Sequence, residues 1–159
     1  MLAGLLRPDS GTVRVRGKDP FKQRHQLMAD IGYVPGNARL PRRTTGEAFL
    51  RLIGDARGGV SRKRMQEVLE QLDCNPLGDW AYMPPNQRRK VVLAQALLHD
   101  PAILILDEPC LGLDPNERNA VLDLLTAERK RGKTIFMSTH VFEEAQRCCD
   151  TIGIIRQGR

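Results

Sequence analysis

The last third of the chain alternates between apolar runs and amphipathic stretches. Residues 102–106 are apolar without a break, which is the pattern of a central parallel strand covered on both faces. Residues 133–138 and 151–156 predict two further strands, with helical stretches over 115–131 and 142–149 between them. This alternation of strand and helix predicts an α/β fold with a doubly wound, mostly parallel sheet.

The first 36 residues carry two shorter strand signals. Residues 12–16 alternate between apolar and polar positions, as a half-buried strand does, and Gly17 ends the run. Residues 31–34 read as a short apolar strand that stops at Pro35.

The middle of the chain has the spacing of helices. Thr44 and Glu47 have capping-box spacing ahead of an apolar face, and Ser61 is placed to cap a second helix. A third helix is expected over residues 87–99. The helix after the first core strand has its own capping box, formed by Asp114 and Glu117.

These elements predict one domain that spans residues 1–159. Its core is expected to comprise residues 1–43 and 100–159, with an inserted helical subdomain over about 44–99. A chain of this length can bury a substantial core, and its content of 41% hydrophobic and 28% charged residues is typical of globular proteins. No apolar run approaches the length of a membrane span.

The net charge of +6 admits two binding partners, nucleic acid and an anionic membrane surface. The excess lies in short clusters, such as Arg62-Lys63-Arg64. Aromatic residues do not interleave with these clusters as a base-stacking platform requires. Solvated helix ends are therefore the preferred reading, and no nucleic-acid partner is predicted.

Candidate chemistry begins where the first core strand ends. The sequence LILDEP at residues 104–109 places Asp107 and Glu108 at the carboxyl end of an apolar strand, where open α/β sheets bind ligands. Asp107 is suited to hold Mg²⁺ through a water molecule, and Glu108 to polarise an attacking water. Taken alone, a strand that runs into an acidic turn explains this motif equally well.

Four more motifs accompany LILDEP in a fixed order. They are IGYVP at 31–35, AQALLHDP at 94–101, LGLDP at 111–115 and STH at 138–140. In this order and spacing, the chain resembles the ATP-binding domain of ABC transporters along nearly its whole length. The resemblance implies a P-loop NTPase-type fold, with ATP and Mg²⁺ as cofactors.

The resemblance also implies a role for each site residue. Asp107 would close the Walker B strand and contact Mg²⁺ through water, and Glu108 would be the catalytic carboxylate. His140 would be the switch histidine that contacts the γ-phosphate. Asp114 would lie in the loop that communicates across a dimer of ATP-binding subunits.

Two departures from the family concern the nucleotide phosphates. No G-x-x-x-x-G-K-[ST] loop occurs in these residues, and residues 1–6 resemble the end of the helix that this loop opens, so the N-terminal core strands are expected to be missing. Gly36 stands where the family has a glutamine. Micromolar ATP binding corresponds to about −8 kcal/mol, and losing three or more charge-assisted hydrogen bonds removes about 5–9 kcal/mol. The chain alone is therefore not expected to bind ATP usefully.

A third departure affects the family signature L-S-G-G-Q, which falls on MPPNQ at residues 83–87 (hereafter the signature segment). In the family this segment contacts the nucleotide of the partner subunit. Pro84 and Pro85 have no backbone N–H to donate, and the serine hydroxyl is lost. Asn86 and Gln87 are the remaining candidates for contact with nucleotide, and Asn86 is also expected to cap the helix.

Three functional readings remain. The first is an ATP-binding subunit that couples ATP binding and hydrolysis to membrane transport, inactive as this chain alone. The second is a degenerate, non-hydrolysing ABC domain with a structural or regulatory role. The third, an ABC ATPase linked to DNA or the ribosome, is weakest because the sequence has no coiled-coil heptads and no second cassette.

The resemblance also implies partners and location. A membrane permease subunit and a second ATP-binding subunit, identical or different, are expected, at the cytoplasmic face of the membrane. It further predicts the sheet: the strand with Asp107 should lie between the strands at 31–34 and 133–138. Asp107 and His140 should be close together. The outer edge of 133–138 should be open, or paired with 151–156.

Overall fold

The computed structural model describes residues 1–38, 40 and 43–157. Within these residues the helices are α1 (Arg24–Met28), α2 (Gly46–Ala56), α3 (Arg62–Gln71), α4 (Pro85–Leu97), α5 (Pro115–Lys130) and α6 (Phe142–Cys148). The strands are β1 (Ile31–Val34), β2 (Ile103–Asp107) and β3 (Thr134–Ser138). No helix of the described ranges is both long and apolar enough to cross a membrane.

The three strands form a parallel sheet in the order β1-β2-β3. Ile31 pairs with Ile103 on one side of β2, and Asp107 pairs with Ser138 on the other. The central position of β2 explains its apolar sequence, since both of its faces are covered. The predicted strand order and the parallel pairing are confirmed.

The larger part of the core packs on the sheet face that carries Leu104 and Leu106, and a smaller cluster contains Leu27, Ile31 and Ile105. The buried face of α4 includes Val91, Ala94 and Leu97, and α5 contributes Val121 and Leu125. Helices α2 and α3 pack against α4, while α6 packs against α5. Helix α4 is thus enclosed by neighbours, which explains why its second half is almost entirely apolar and buried.

Gly32 sets the distance between β1 and α4. A Cβ atom at this position would lie 2.2 Å from the carbonyl oxygen of Ala96 and 2.8 Å from a methyl group of Leu104. Only glycine leaves room for so close an approach of strand and helix. The glycine therefore fixes the position of α4 relative to the sheet.

The helix starts agree with the sequence at two places and differ at two. Ser61 caps α3 and Asp114 caps α5, with Glu117 completing its capping box, as predicted. The cap of α2 is Thr45 rather than Thr44, because its hydroxyl accepts from the backbone N–H of Ala48. Helix α4 begins at Pro85, two residues before the prediction, since proline is tolerated in a first turn.

The strand predictions at both ends of the chain are wrong. Residues 12–16 form a tight turn in which Val15 pairs with Lys18, and residues 1–6 form turns rather than the end of a helix. Residues 151–156 are not a strand, and the Ile154 and Ile155 side chains are 81% and 82% exposed. A strand is stabilised by its neighbour, and neither stretch has one among the described residues.

The outer edge of β3 is open within the part of the chain that the structure describes. β3 is the last strand in the sheet order, and no pairing with residues 151–156 occurs. Phe136, near the middle of β3, is 57% exposed. The expectation of an open edge is confirmed.

Candidate functional site

The carboxyl ends of β2 and β3 meet at Asp107. Its Oδ1 atom accepts a hydrogen bond from the Ser138 hydroxyl at 2.5 Å, and its Oδ2 atom accepts one from the backbone N–H of Gly36 at 3.1 Å. One carboxylate therefore joins the ends of all three strands. Ser138 was missed in the sequence because only the pairing register brings it beside Asp107.

Glu108 follows in a backbone conformation that is rare for a residue with a side chain. Its φ angle is +49°, and its N–H donates to the carbonyl of Ser138 at 3.1 Å. Its carboxylate oxygen lies 2.9 Å from the Nδ1 atom of His140, whose side chain is 71% exposed. Backbone strain of this kind concentrates at functional sites. The structure thus brings Asp107, Glu108 and His140 together; we call them, with Ser138, the carboxyl edge.

A buried carboxylate supports the loop that carries His140. The Thr139 hydroxyl donates to Glu144 at 2.7 Å and accepts from the N–H of Val141 at 3.1 Å. Glu144 is 3% exposed and also pairs with Arg118. Glu144 could not be singled out from the sequence, since a glutamate in the first turn of a helix normally faces solvent.

Gly36 touches the site through its backbone alone. A Cβ atom at this position would lie 2.7 Å from Oδ2 of Asp107 and 3.1 Å from its carboxyl carbon. A side chain here would require Asp107 or the loop to move. Gly36 therefore supplies a hydrogen-bond donor to Asp107 and no side-chain ligand.

Arg89 is a buried cation that the sequence did not reveal. Its guanidinium donates to the carbonyls of Pro35 at 3.0 Å and Gly36 at 2.8 Å, and more distantly to Leu111 at 3.4 Å. Burial lowers the pKa of Arg89, and the nearby charge of Asp107 opposes this shift. Arg89 thus fastens the loops on both sides of the carboxyl edge to α4.

The signature segment makes its contacts inside its own subunit. Pro84 is the N-cap of α4 and provides no side-chain hydrogen bond, so the expectation that Asn86 caps this helix is wrong. Asn86 lies inside the first turn and donates instead to Glu117 at 2.8 Å. Gln87 accepts from the backbone N–H of Asn75 at 2.9 Å.

Glu117 is the shared partner of several groups in and near the signature segment. Besides Asn86, it accepts from the ammonium group of Lys90 at 2.9 Å and from the backbone N–H of Asp114 at 3.2 Å. The Lys90 side chain is 3% exposed and reaches Asp73 as well. The hydrogen bond from Lys90 lowers the pKa of Glu117. Asn86 and Asp114 thus meet at one carboxylate, apart from the carboxyl edge.

The residues at the carboxyl edge fit a Mg²⁺ ion held partly by substrate. No group of three or more His, Cys, Asp and Glu side chains is placed to hold a metal within the described residues. Mg²⁺ usually takes one or two carboxylates and completes its octahedron with water and phosphate oxygens. Each Asp107 oxygen accepts one hydrogen bond and keeps lone pairs for a water ligand.

Comparison with known proteins gives consistent matches. A family model described as ABC transporter matches residues 1–111. The chain is 38% identical over 165 residues to the Nod factor export ATP-binding protein I of Sinorhizobium fredii, covering 100% of this chain and 48% of that protein. It is 33% identical over 163 residues to the linearmycin resistance ATP-binding protein LnrL of Bacillus subtilis, covering 99% and 52%. The chain spans about half the length of these relatives.

Solved structures agree in fold. A structure described as the ATP-binding subunit of an ABC transporter has a TM-score of 0.81 and 28% identity, covering 94% of this chain and 64% of that one. A dimeric bacterial ABC transporter cassette gives a TM-score of 0.82 at 22% identity, covering 92% and 69%. The sheet order, the motifs and the family match therefore lead to one conclusion: this chain belongs to the ABC transporter family, among its ATP-binding proteins.

Proposed function

We propose that the protein containing these residues is an ATP-binding subunit of an ABC transporter that couples ATP binding and hydrolysis to transport. The observation that carries this proposal is the contact between Glu108 and His140 at the carboxyl edge, 2.9 Å apart. A carboxylate and an imidazole at the ends of adjacent parallel strands suit the activation of water beside a phosphate.

Each residue of the carboxyl edge has a proposed task. Glu108 accepts a hydrogen bond from the attacking water and orients it. The exposed imidazole of His140 donates a hydrogen bond to a γ-phosphate oxygen. Asp107 holds a water ligand of Mg²⁺, which neutralises phosphate charge when bound. The Ser138 hydroxyl and the Gly36 N–H keep the Asp107 carboxylate oriented.

The remaining predicted site residues are proposed to act at the interface with a second subunit. Asp114 lies at the start of α5, in the loop that would face a second ATP-binding subunit. Asn86 and Gln87 would meet that subunit's nucleotide only if they left their bonds to Glu117 and Asn75. We further propose a membrane permease as partner, a peripheral position at the cytoplasmic face, and residues 44–99 as an inserted helical subdomain.

A degenerate, non-hydrolysing domain is the second candidate function. The observation that favours it is the signature segment, in which Pro84 and Pro85 lack N–H donors and the Asn86 side chain is held by Glu117. In a heteromeric pair, this segment would leave one composite site without its phosphate contacts. The carboxyl edge would still serve the other site, so the two candidates differ in a measurable way.

Substitution of Glu108 tests which candidate applies. In the protein that contains these residues, assembled with its second subunit, Glu108→Gln should lower ATP turnover at least about 100-fold, because removing one group that acts in the transition state has this effect. The matched control is Glu143→Gln, which removes an exposed carboxylate on α6 and should leave turnover unchanged. Equal turnover in wild type and Glu108→Gln would contradict hydrolysis at this edge.

A further inference from the structure

A cavity of about 790 Å³ lies at the opposite end of the sheet from the carboxyl edge. It is lined by Arg24, His25 and Met28 of α1, by Ala56 and Arg57 after α2, and by His99 after α4, with Ala29. Its volume lies in the range typical of sites for small molecules. The cavity therefore has room for a ligand, at a place that the proposed ATPase chemistry does not use.

The lining of this cavity is one-sided in charge. It contains two arginines and two histidines, and no carboxylate among its lining residues in the described part of the chain. Acidic residues adjoin the lining residues along the chain at Asp30, Asp55 and Asp100, but none of them lines the cavity. Asp30 is paired with Arg16, Asp100 is paired with Lys133 and Arg131, and Asp55 lines a separate pocket. The cationic groups of the cavity are therefore not neutralised by a carboxylate of its own lining.

Donors on this lining remain available. All hydrogen bonds of the Arg57 side chain among the described residues leave from Nη1, toward the carbonyls of Met28 and Ile31 and toward His99. The side chains of Arg24 and His25 form no hydrogen bond or ion pair within the same residues. The other edge of the Arg57 guanidinium can thus meet a planar oxyanion with two hydrogen bonds.

The environment of His99 also reflects the excess of positive charge in this cavity. Its Nε2 atom lies 3.2 Å from both Arg57 Nη1 and the carbonyl oxygen of Ile31, and its buried Nδ1 atom has no partner in the described ranges. Burial, followed by the positive charge of Arg57, lowers the pKa of His99 to about 4. The other charged groups around it are Lys133, which lowers this pKa further, and Asp100, which raises it.

We propose that this cavity binds a small anionic molecule with at least two negative charges on phosphate or carboxylate groups, held by Arg24 and Arg57. Such a ligand would bridge α1 and the end of α2, and would neutralise charge that the fold leaves uncompensated. The site lies beyond the proposed ATPase function and does not depend on it.

Titration of the 159-residue chain with inorganic pyrophosphate, and separately with citrate, tests the site by calorimetry at low ionic strength without divalent metal. We expect saturable 1:1 binding of at least one probe, with a Kd below about 1 mM. Arg24→Gln should weaken it at least about fivefold, since one charge-assisted contact is lost. The matched control is Arg51→Gln, which removes the same charge from α2 outside the cavity and should leave binding unchanged.

A second readout locates the ligand. In proton NMR, the His99 ring resonances should shift with the same midpoint as the calorimetric titration, and Arg24→Gln should move that midpoint equally. Arg24 is suited to this test because its exposed side chain holds no part of the fold, whereas Arg57→Gln removes contacts to two carbonyls. Absence of saturable binding for both probes would overturn the proposal, as would equal weakening by Arg24→Gln and Arg51→Gln.

Discussion

The carboxyl edge and the signature segment, which we propose serve the two sides of a composite nucleotide site, differ in what their side chains contact. At the carboxyl edge, Glu108 and His140 contact each other and remain open to solvent on the histidine side. In the signature segment, Asn86 and Gln87 are bonded to residues of their own subunit. The first half keeps a side chain exposed to solvent, whereas the polar side chains of the second are engaged in hydrogen bonds within the chain.

The difference follows from the backbone donors that each half retains. An α-helix offers its first N–H groups to an anion only if residues other than proline carry them. Pro84 at the N-cap and Pro85 at the first position of α4 both lack an N–H, which leaves the N–H groups of Asn86 and Gln87 as the first donors of the helix. The bonds of Asn86 to Glu117, and of Glu117 to Lys90, give the segment a structural task instead.

Loss of the Glu117 carboxylate should produce the largest effect on the signature half. Glu117→Ala leaves the ammonium group of Lys90 buried with only Asp73 near it, and breaking a buried ion pair costs about 3–5 kcal/mol. Denaturant unfolding of the 159-residue chain measures the change in the free energy of unfolding. Glu143→Ala is the control and should stay within about 0.5 kcal/mol of wild type. Equal stability of the two variants would mean that Glu117 is not the structural centre of this half.

Restoring donors to the signature segment should have the next largest effect, on activity rather than stability. In the assembled protein, Pro84→Ser with Pro85→Gly returns one hydroxyl and two N–H groups, and we expect ATP turnover to rise at least about tenfold, since one charge-assisted hydrogen bond contributes about 1.5–3 kcal/mol. Asn86 is kept because it supports Glu117.

Gly36→Gln is the comparison variant for that experiment. It adds the side chain that the family has at this position, but its Cβ would crowd Asp107. We expect no gain in turnover from it. A gain from Gly36→Gln together with no response to the Pro84 and Pro85 changes would show that the loop after β1, and not the signature segment, limits the reaction.

The pH dependence of stability should show the smallest effect. It should again depend on Glu117, beside the signature segment. Because the hydrogen bond from Lys90 lowers the pKa of Glu117 from its ordinary value of 4.5, the stability that Glu117 contributes is fully present above that pH. It is lost as the pH falls through the lowered value in the folded state. Stability measured from pH 6 to pH 3 should therefore decline less steeply in Glu117→Gln than in wild type.

Glu143→Gln again serves as control and should keep the wild-type slope, because Glu143 is exposed on α6. If the stability of Glu117→Gln declines as steeply with falling pH as that of wild type, the Lys90 hydrogen bond does not lower the pKa of Glu117 in the folded state relative to the unfolded state.

Features set by local sequence pattern or by strand order could be predicted from the sequence, whereas side-chain contacts between distant residues could not. The buried strand β2, the caps at Ser61 and Asp114, and the placement of Asp107 and His140 at the ends of adjacent strands were predictable. Each follows from local pattern or from parallel strand order. The contacts of Asn86 with Glu117 and of Arg89 with Pro35 were not, since they join positions 31 and 54 residues apart.

The two wrong strand predictions have a related cause. Alternation over residues 12–16 and apolar character over 151–156 describe side chains that suit a strand, but they do not supply a neighbour. The backbone of Val15 pairs instead with that of Lys18, three residues along the chain, and the two residues close a turn. Strand propensity measures how well residues fit a pleated surface, and without that surface the pattern does not decide the conformation.

The buried guanidinium of Arg89 also connects helix α4 to two loops. Its three carbonyl acceptors belong to Pro35 and Gly36 after β1 and to Leu111 after β2, while its own backbone belongs to α4. Because one side chain holds both loops to α4, a displacement of either loop relative to the helix would break at least one of these hydrogen bonds. Gly36 is thereby held at both of its backbone polar groups, since its carbonyl accepts from Arg89 and its N–H donates to Asp107.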